Sequence, residues 1–301
     1  MPPNFTTQNL TQQLNIGNIV SLGSYLYRSR FKQYFQLALI AHLWLFVPIY
    51  GWAKFYATAG LISRLIFSDI IGQKESIRSA KFHVNKHFWQ FLLTVILSIL
   101  ICLLQFLIFY ILCSLASGII YLILATIFGL ISQPINQVNP FSNLLFTIII
   151  IPTVIAVYLS PLWFYSRFFL TDLPLAIEDK INSIQAMKLS RQLTKGLTLR
   201  IIAIILIAFF ITLPIQILLW LILSFGFSII LGRISDLLFT QSGNNNDFII
   251  SSIVLIALNL INGIILMPFW QSVKSVVYYD IICRREGYDL ILRDRSIEQT
   301  S

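Results

Sequence analysis

Long apolar runs separated by short basic connectors set the pattern of this chain. Crossing a hydrocarbon layer of ~30 Å takes ~20 residues of helix. Six runs read as spanning helices, near 33–50, 52–67, 89–113, 144–165, 201–222 and 248–270. The pattern predicts an all-α polytopic membrane bundle occupying residues 14–293, between a disordered tail at 1–13 and a short tail at 294–301. The first run is short, and Pro48-Ile49-Tyr50-Gly51 offers a tight reversal after it. In the second run Lys54 reaches for the outer interface and Arg64 for the inner one. Its small residues, Ala53, Ala57, Ala59 and Gly60, suit close helix approach.

The 44 residues from Phe88 to Ile131 carry no charge. That is too long for one crossing, so a break is expected near Cys113-Ser114-Leu115-Ala116-Ser117-Gly118. Ile119–Ile131 then forms an outer interfacial or re-entrant helix, or a short extra span. A Pro-, Asn- and Gln-rich loop follows at Ser132–Asn143. Ser224–Thr240 has the same place after the fifth span, which Pro214 is expected to kink. Ahead of the first span, Asn15–Lys32 reads as an amphipathic helix on the membrane surface, with Ile19, Val20, Leu22, Leu26 and Tyr27 on one face.

Composition agrees: 57% of residues are hydrophobic and 11% charged, where soluble domains carry about a quarter. The net charge of +9 lies in the connectors, not in a soluble basic stripe, which excludes nucleic acid as the partner. With the N-terminus inside, the outer stretches hold only Lys54 and Arg233 among 21 Lys and Arg residues. This bias puts both termini in the cytoplasm, and a bacterial plasma membrane is the simplest location, with a thylakoid membrane the other. The same basic face suits anionic lipids. The N-terminus carries no cleavable signal peptide, and three cysteines make no disulfide framework.

Pieces of the chain recur. Ser63-Arg64 to Ser68-Asp69 matches Ser166-Arg167 to Thr171-Asp172 at a distance of 103 residues. Lys274 to Tyr279-Asp280 is a looser third copy, 108 residues further on. Three two-span units would result. In each copy the base marks where a span leaves the hydrocarbon, and the Asp suits the N–H groups that begin the next helix. The sharper alternative is three base–acid pairs ringing an entrance: Arg64 with Asp69, Arg167 with Asp172, Lys274 with Asp280.

Two patches carry a resemblance: Thr171-Asp172-Leu173-Pro174 with Ala186-Met187-Lys188-Leu189-Ser190-Arg191 and Lys195-Gly196, and Tyr278-Tyr279-Asp280 with Arg284-Arg285-Glu286-Gly287-Tyr288-Asp289-Leu290. In these the chain resembles uncharacterised bacterial six-span families, among them membrane regions attached to glycerophosphodiester phosphodiesterases. The resemblance implies a helical membrane fold with cytoplasmic connectors. It implies no reaction, since the chain has no soluble phosphodiesterase domain.

Polar residues inside spans are the places to look for function: His42, Gln105, Gln216, Asn259 and Asn262. They either line a polar site or tie helices together. His83 and His87 have helical metal-ligand spacing but no evident third ligand. No phosphate loop, nucleophile elbow or paired-cysteine zinc pattern occurs, so neither a catalytic residue nor a cofactor nor a metal is assigned. Three readings stand open: a non-enzymatic protein organising lipids or a membrane-protein partner, a transporter or channel, and an accessory component of a lipid-modifying enzyme.

Overall fold

The computed structural model describes residues 14–128, 140–178, 181–238 and 245–286. The tails expected at 1–13 and 294–301, most of the loop before Asn143, and the finish at Gly287–Leu290 lie outside them. Every regular element among the described residues is a helix: α1 (Ile16–Ser29), α2 (Phe31–Trp44), α3 (Tyr50–Ile70), α4 (Ile77–Lys86), α5 (Phe88–Ile127), α6 (Pro140–Phe168), α7 (Asp172–Ile177), α8 (Ser183–Thr194), α9 (Thr198–Leu238) and α10 (Asn245–Glu286). The chain is an all-α membrane bundle.

Four described stretches are long and apolar enough to cross a membrane: Phe88–Ile127, Pro140–Ile177, Thr198–Ile222 and Leu255–Arg285. They correspond to α5, α6 running on into α7, α9 and α10. The first two runs of the sequence reading do not join them. The first ends as a helix at Trp44, after 14 residues, or roughly 21 Å. The second, α3, has 21 residues but is more polar.

Nor does the long apolar run break where expected. α5 continues through Cys113–Gly118 to a length of 40 residues. The reason is local: Ser114 and Ser117 donate to the carbonyls of Ile111 and Ser114, three residues back, so their hydroxyls do not compete with the helix. α9 likewise runs on through Pro214 and beyond Ser224 for 41 residues. α10 continues past Trp270, where the sixth run was expected to end, to Glu286.

The packing separates the chain into two compact units, residues 95–169 and the remainder. In the smaller unit α5 and α6 are joined by ring contacts along their length, Phe109 with Phe164, Tyr121 with Phe146 and Phe128 with Phe141.

The larger unit is built around α10, which packs against α1, α2, α3 and α9. Its stretch from Gln271 to Val273 and from Ser275 to Ile281 is buried. α3 is its main neighbour, and the small residues explain why: Gly51, Ala53, Ala57, Ala59, Gly60 and Ser63 are all buried. Ser63 Oγ donates to Gln271 Oε1 at 2.8 Å, and Ser275 Oγ donates to the Ser63 carbonyl at 3.1 Å. A Cβ on Gly60 would lie 2.4 Å from the Phe91 ring, which fixes that position as glycine.

α1 is used differently from the sequence expectation. Its face with Ile19, Val20, Leu22 and Gly23 is buried against α10 and α9, not spread on a bilayer. Tyr27 OH reaches the Ile265 carbonyl at 2.9 Å.

The reversal at Pro48–Gly51 is tight. Tyr50 N–H donates to the Pro48 carbonyl at 2.7 Å across Ile49. Ile49 has φ 60, a strained value for a β-branched residue. A Cβ on Gly51 would sit 1.8 Å from the Trp44 carbonyl oxygen, so only glycine fits.

Candidate functional site

The charged motif residues of the larger unit assemble into a polar layer, but with partners other than those the motifs suggest. Arg64 and Asp69 are five positions apart on one helix, or about 140° round its axis at ~100° per residue. They cannot face each other. Arg64 instead makes a two-pronged contact with Glu75, from Nε at 2.7 Å and Nη2 at 3.3 Å. It also donates from Nη1 to the carbonyls of Ala176 at 2.8 Å and Ile177 at 3.3 Å. Those carbonyls end α7, where a cation offsets the partial negative charge of the helix terminus.

The other end of α7 is held by the third motif copy. Lys274 Nζ donates to Asp172 Oδ2 at 3.0 Å, and Asp172 opens the helix. Both bonds and both dipole signs are favourable. The bases of the first and third copies thus clamp a six-residue helix that begins with the acid of the second.

Asp69 pairs with Arg30, whose Nη2 lies 3.0 Å from Oδ1. That approach is close but not aligned as a hydrogen bond, leaving Oδ1 without one. Oδ2 accepts from Tyr34 OH at 3.1 Å. Asp280, only 3% exposed, faces Arg200 at 3.0 Å and Arg284 at 2.9 Å. It also accepts the Leu14 N–H at 3.1 Å, and both arginines bond the Leu14 carbonyl.

The expected capping role is therefore corrected. Asp69 lies in the last turn of α3, and Ser76 caps the next helix by accepting from Ser79 N–H at 3.2 Å. Asp172 makes no capping bond, and Asp280 is interior to α10. All three serve as counter-charges. Arg167 lies in the last turn of α6, in the other compact unit.

Beside Arg64 is a cavity of about 450 Å³. Arg64, Gln73 and Lys74 give it a polar, cationic side, while Phe67, Ile71 and Ile177 give it an apolar one. Glu75 also borders it, but its carboxylate is already held by Arg64 and Ser79 Oγ. Burial alone would push Glu75 up. The hydrogen bonds from Arg64 and Ser79, with the charges of Arg64 and His83, outweigh it and hold the carboxyl below its ordinary value.

The intramembrane polar residues do not bond one another among the described residues. His42 is buried, with Nδ1 2.7 Å from the Ala38 carbonyl and its ring edge-on to Phe55. Gln216 donates to Thr212 Oγ1 and Asn259 to the Leu255 carbonyl, each one turn back on its own helix. Gln105 Oε1 and Asn262 Oδ1 are buried without a hydrogen bond, Gln105 in the smaller unit. The rings of His83 and His87 are 5.8 Å apart, and the described residues contain no group of three or more side chains suited to a metal ion.

Sequence reasoning missed Glu75, Arg30 and Arg200 as the partners that matter. The five-residue spacing of Arg64 and Asp69 and the six-residue spacing of Lys274 and Asp280 were the available signal, since on one helix neither spacing brings base and acid together. No known protein family, characterised protein or solved structure matches this chain.

Proposed function

We propose that this protein is a non-enzymatic membrane protein that gathers anionic lipid at its cytoplasmic face. The observation that carries the reading is the cavity beside Arg64, with Lys74 and the Arg64–Glu75 ion pair on one side and apolar side chains on the other. An anionic amphiphile needs both, a counter-charge for its headgroup and an apolar wall for the start of its chains. Lys74 is exposed, and a cation near an anionic membrane surface contributes ~1 kcal/mol. Arg28, Arg30, Arg78, Lys81, Lys86, Lys188 and Arg191 add basic charge to the connectors, which supports a cytoplasmic assignment for this face. Bacterial plasma membrane is the location this reading takes.

The test is extraction from the native membrane in mild detergent, followed by mass spectrometry of what co-purifies. The expected result is anionic lipid enriched over a control multi-pass protein, and depleted several-fold in Lys74→Glu. Unchanged enrichment in that variant overturns the cavity assignment. A stoichiometric protein with no lipid enrichment replaces lipid by a protein partner.

A further inference from the structure

We infer that the α2–α3 hairpin does not cross the membrane: it dips its apolar tip into one leaflet and returns to the face from which it starts. The argument begins at Lys54. The sequence pattern puts this residue at the outer interface, opposite Lys86. In the fold, Lys54 Nζ donates to Asn85 Oδ1 at 3.0 Å and stands 4.8 Å above the Phe88 ring. Asn85 is the immediate neighbour of Lys86, so the two lysines cannot be separated by a hydrocarbon layer of ~30 Å.

α4 makes the point along the whole helix. It starts two residues after Glu75, which is bonded to Arg64, and its penultimate residue, Asn85, is bonded to Lys54. It therefore runs back along α3 over the interval between those two bases. Along the way it exposes Arg78, Lys81 and Lys86. A helix showing three cations along ten residues does not lie in hydrocarbon. Both ends of the Lys54–Arg64 stretch are consequently on one side of it.

The tip has the opposite character. Leu43 is 60% exposed, Phe46 68% and Ile49 61%. Trp44, Tyr50, Phe88 and Trp89 cluster beside them through ring contacts. Aromatic rings with a lysine at their edge are the composition of a membrane–water interface. The occupant of the apolar tip is therefore lipid, the acyl chains of the leaflet whose headgroups meet Lys54 and α4. Four helices long and apolar enough to cross remain among the described residues, an even number, which keeps the start of α5 and the end of α10 on one side.

The experiment uses full-length protein with Cys102, Cys113 and Cys283 replaced by serine and one new cysteine, Trp52→Cys at the tip or Phe82→Cys on α4. Sealed membrane vesicles of both orientations are treated with a membrane-impermeant maleimide, and a permeant one confirms that each thiol reacts. The expected result is that Trp52→Cys, like Phe82→Cys, stays unlabelled from the far side. Labelling of Trp52→Cys from the side opposite Phe82→Cys overturns the inference. A fluorophore on Phe46→Cys reads the occupant: at least twofold quenching by brominated lipid is expected, and quenching by aqueous iodide alone overturns it. Ile49→Cys gives the same reading of sidedness if Trp52→Cys does not fold.

Discussion

Lys274 Nζ meets Asp172 Oδ2 at 3.0 Å across 102 residues of sequence, with both side chains about five-sixths buried. The bond joins α10 to the start of α7, whose other end rests on Arg64. Six residues are too few to form a stable helix in isolation, so α7 depends on these two contacts and on the burial of Leu173 and Leu175. The clamp makes the geometry of the polar layer depend on three segments at once.

Removing one partner should therefore cost more than a surface pair would. Lys274→Met and Asp172→Asn are each expected to lower stability in detergent by about 2 kcal/mol, between the values for exposed and fully buried pairs. Together they should cost less than the sum of the two. Thermal unfolding of the four species of the double-mutant cycle checks this. Additive losses would mean that the two residues act separately.

Asp280 is the more demanding position, because it neutralises two arginines while almost inaccessible itself. Asp280→Asn keeps the volume and leaves Arg200 and Arg284 facing each other without a counter-charge. An expected loss of about 3 kcal/mol follows. Proteolysis near the N-terminus should also speed up, because Asp280 and both arginines hold the Leu14 backbone. A variant as stable and as protease-resistant as the parent would remove Asp280 from the role given to it.

Glu75 gives the polar layer a pH dependence of defined sign. Its carboxyl is held below the ordinary value of 4.5. A carboxyl lowered on folding stabilises fully above its unfolded pKa, and that contribution drains away as pH falls through the folded pKa. Melting temperature should therefore drop below about pH 4.5 more steeply in the parent than in Glu75→Gln. At pH 7 the substitution should cost on the order of 1 kcal/mol. Parallel acid limbs would show that the Arg64–Glu75 contact carries none of the dependence.

The helical membrane class was legible because it depends on composition and run length, which are local properties. The small residues of α3 were legible for a related reason: only a helix that must come close to others has use for so many of them. Pairing was not legible. Arg64 could have met any carboxylate, and Glu75 is chosen by the turn at Gly72, where φ is 74, and by the path of α4. The missing break in α5 has a different cause. Serines and a glycine suggest a turn in water, but in an apolar helix the serine hydroxyls are satisfied by their own turn. The amphipathic pattern before the first span was real as a pattern yet ambiguous as to its cover, since an apolar helix face can be covered by neighbouring helices, here α10 and α9, as well as by a bilayer.

His42 offers a test that separates packing from function at a candidate site residue. A Cβ built on Gly263 would lie 2.5 Å from His42 Nε2. The ring has little freedom to give way, being buried, held by the Ala38 carbonyl and packed edge-on at 5.1 Å against Phe55. Gly263→Ala should therefore destabilise by about 1–3 kcal/mol, the range for an overpacked contact. In a His42→Ala background the clash is gone, and alanine in a helix is better than glycine by roughly 0.5–1 kcal/mol. The same substitution should then become neutral or stabilising. Unfolding in detergent reads this reversal of sign directly. Equal losses in both backgrounds would mean that α2 and α10 do not meet at this point, and that the place of His42 in the bundle needs redrawing.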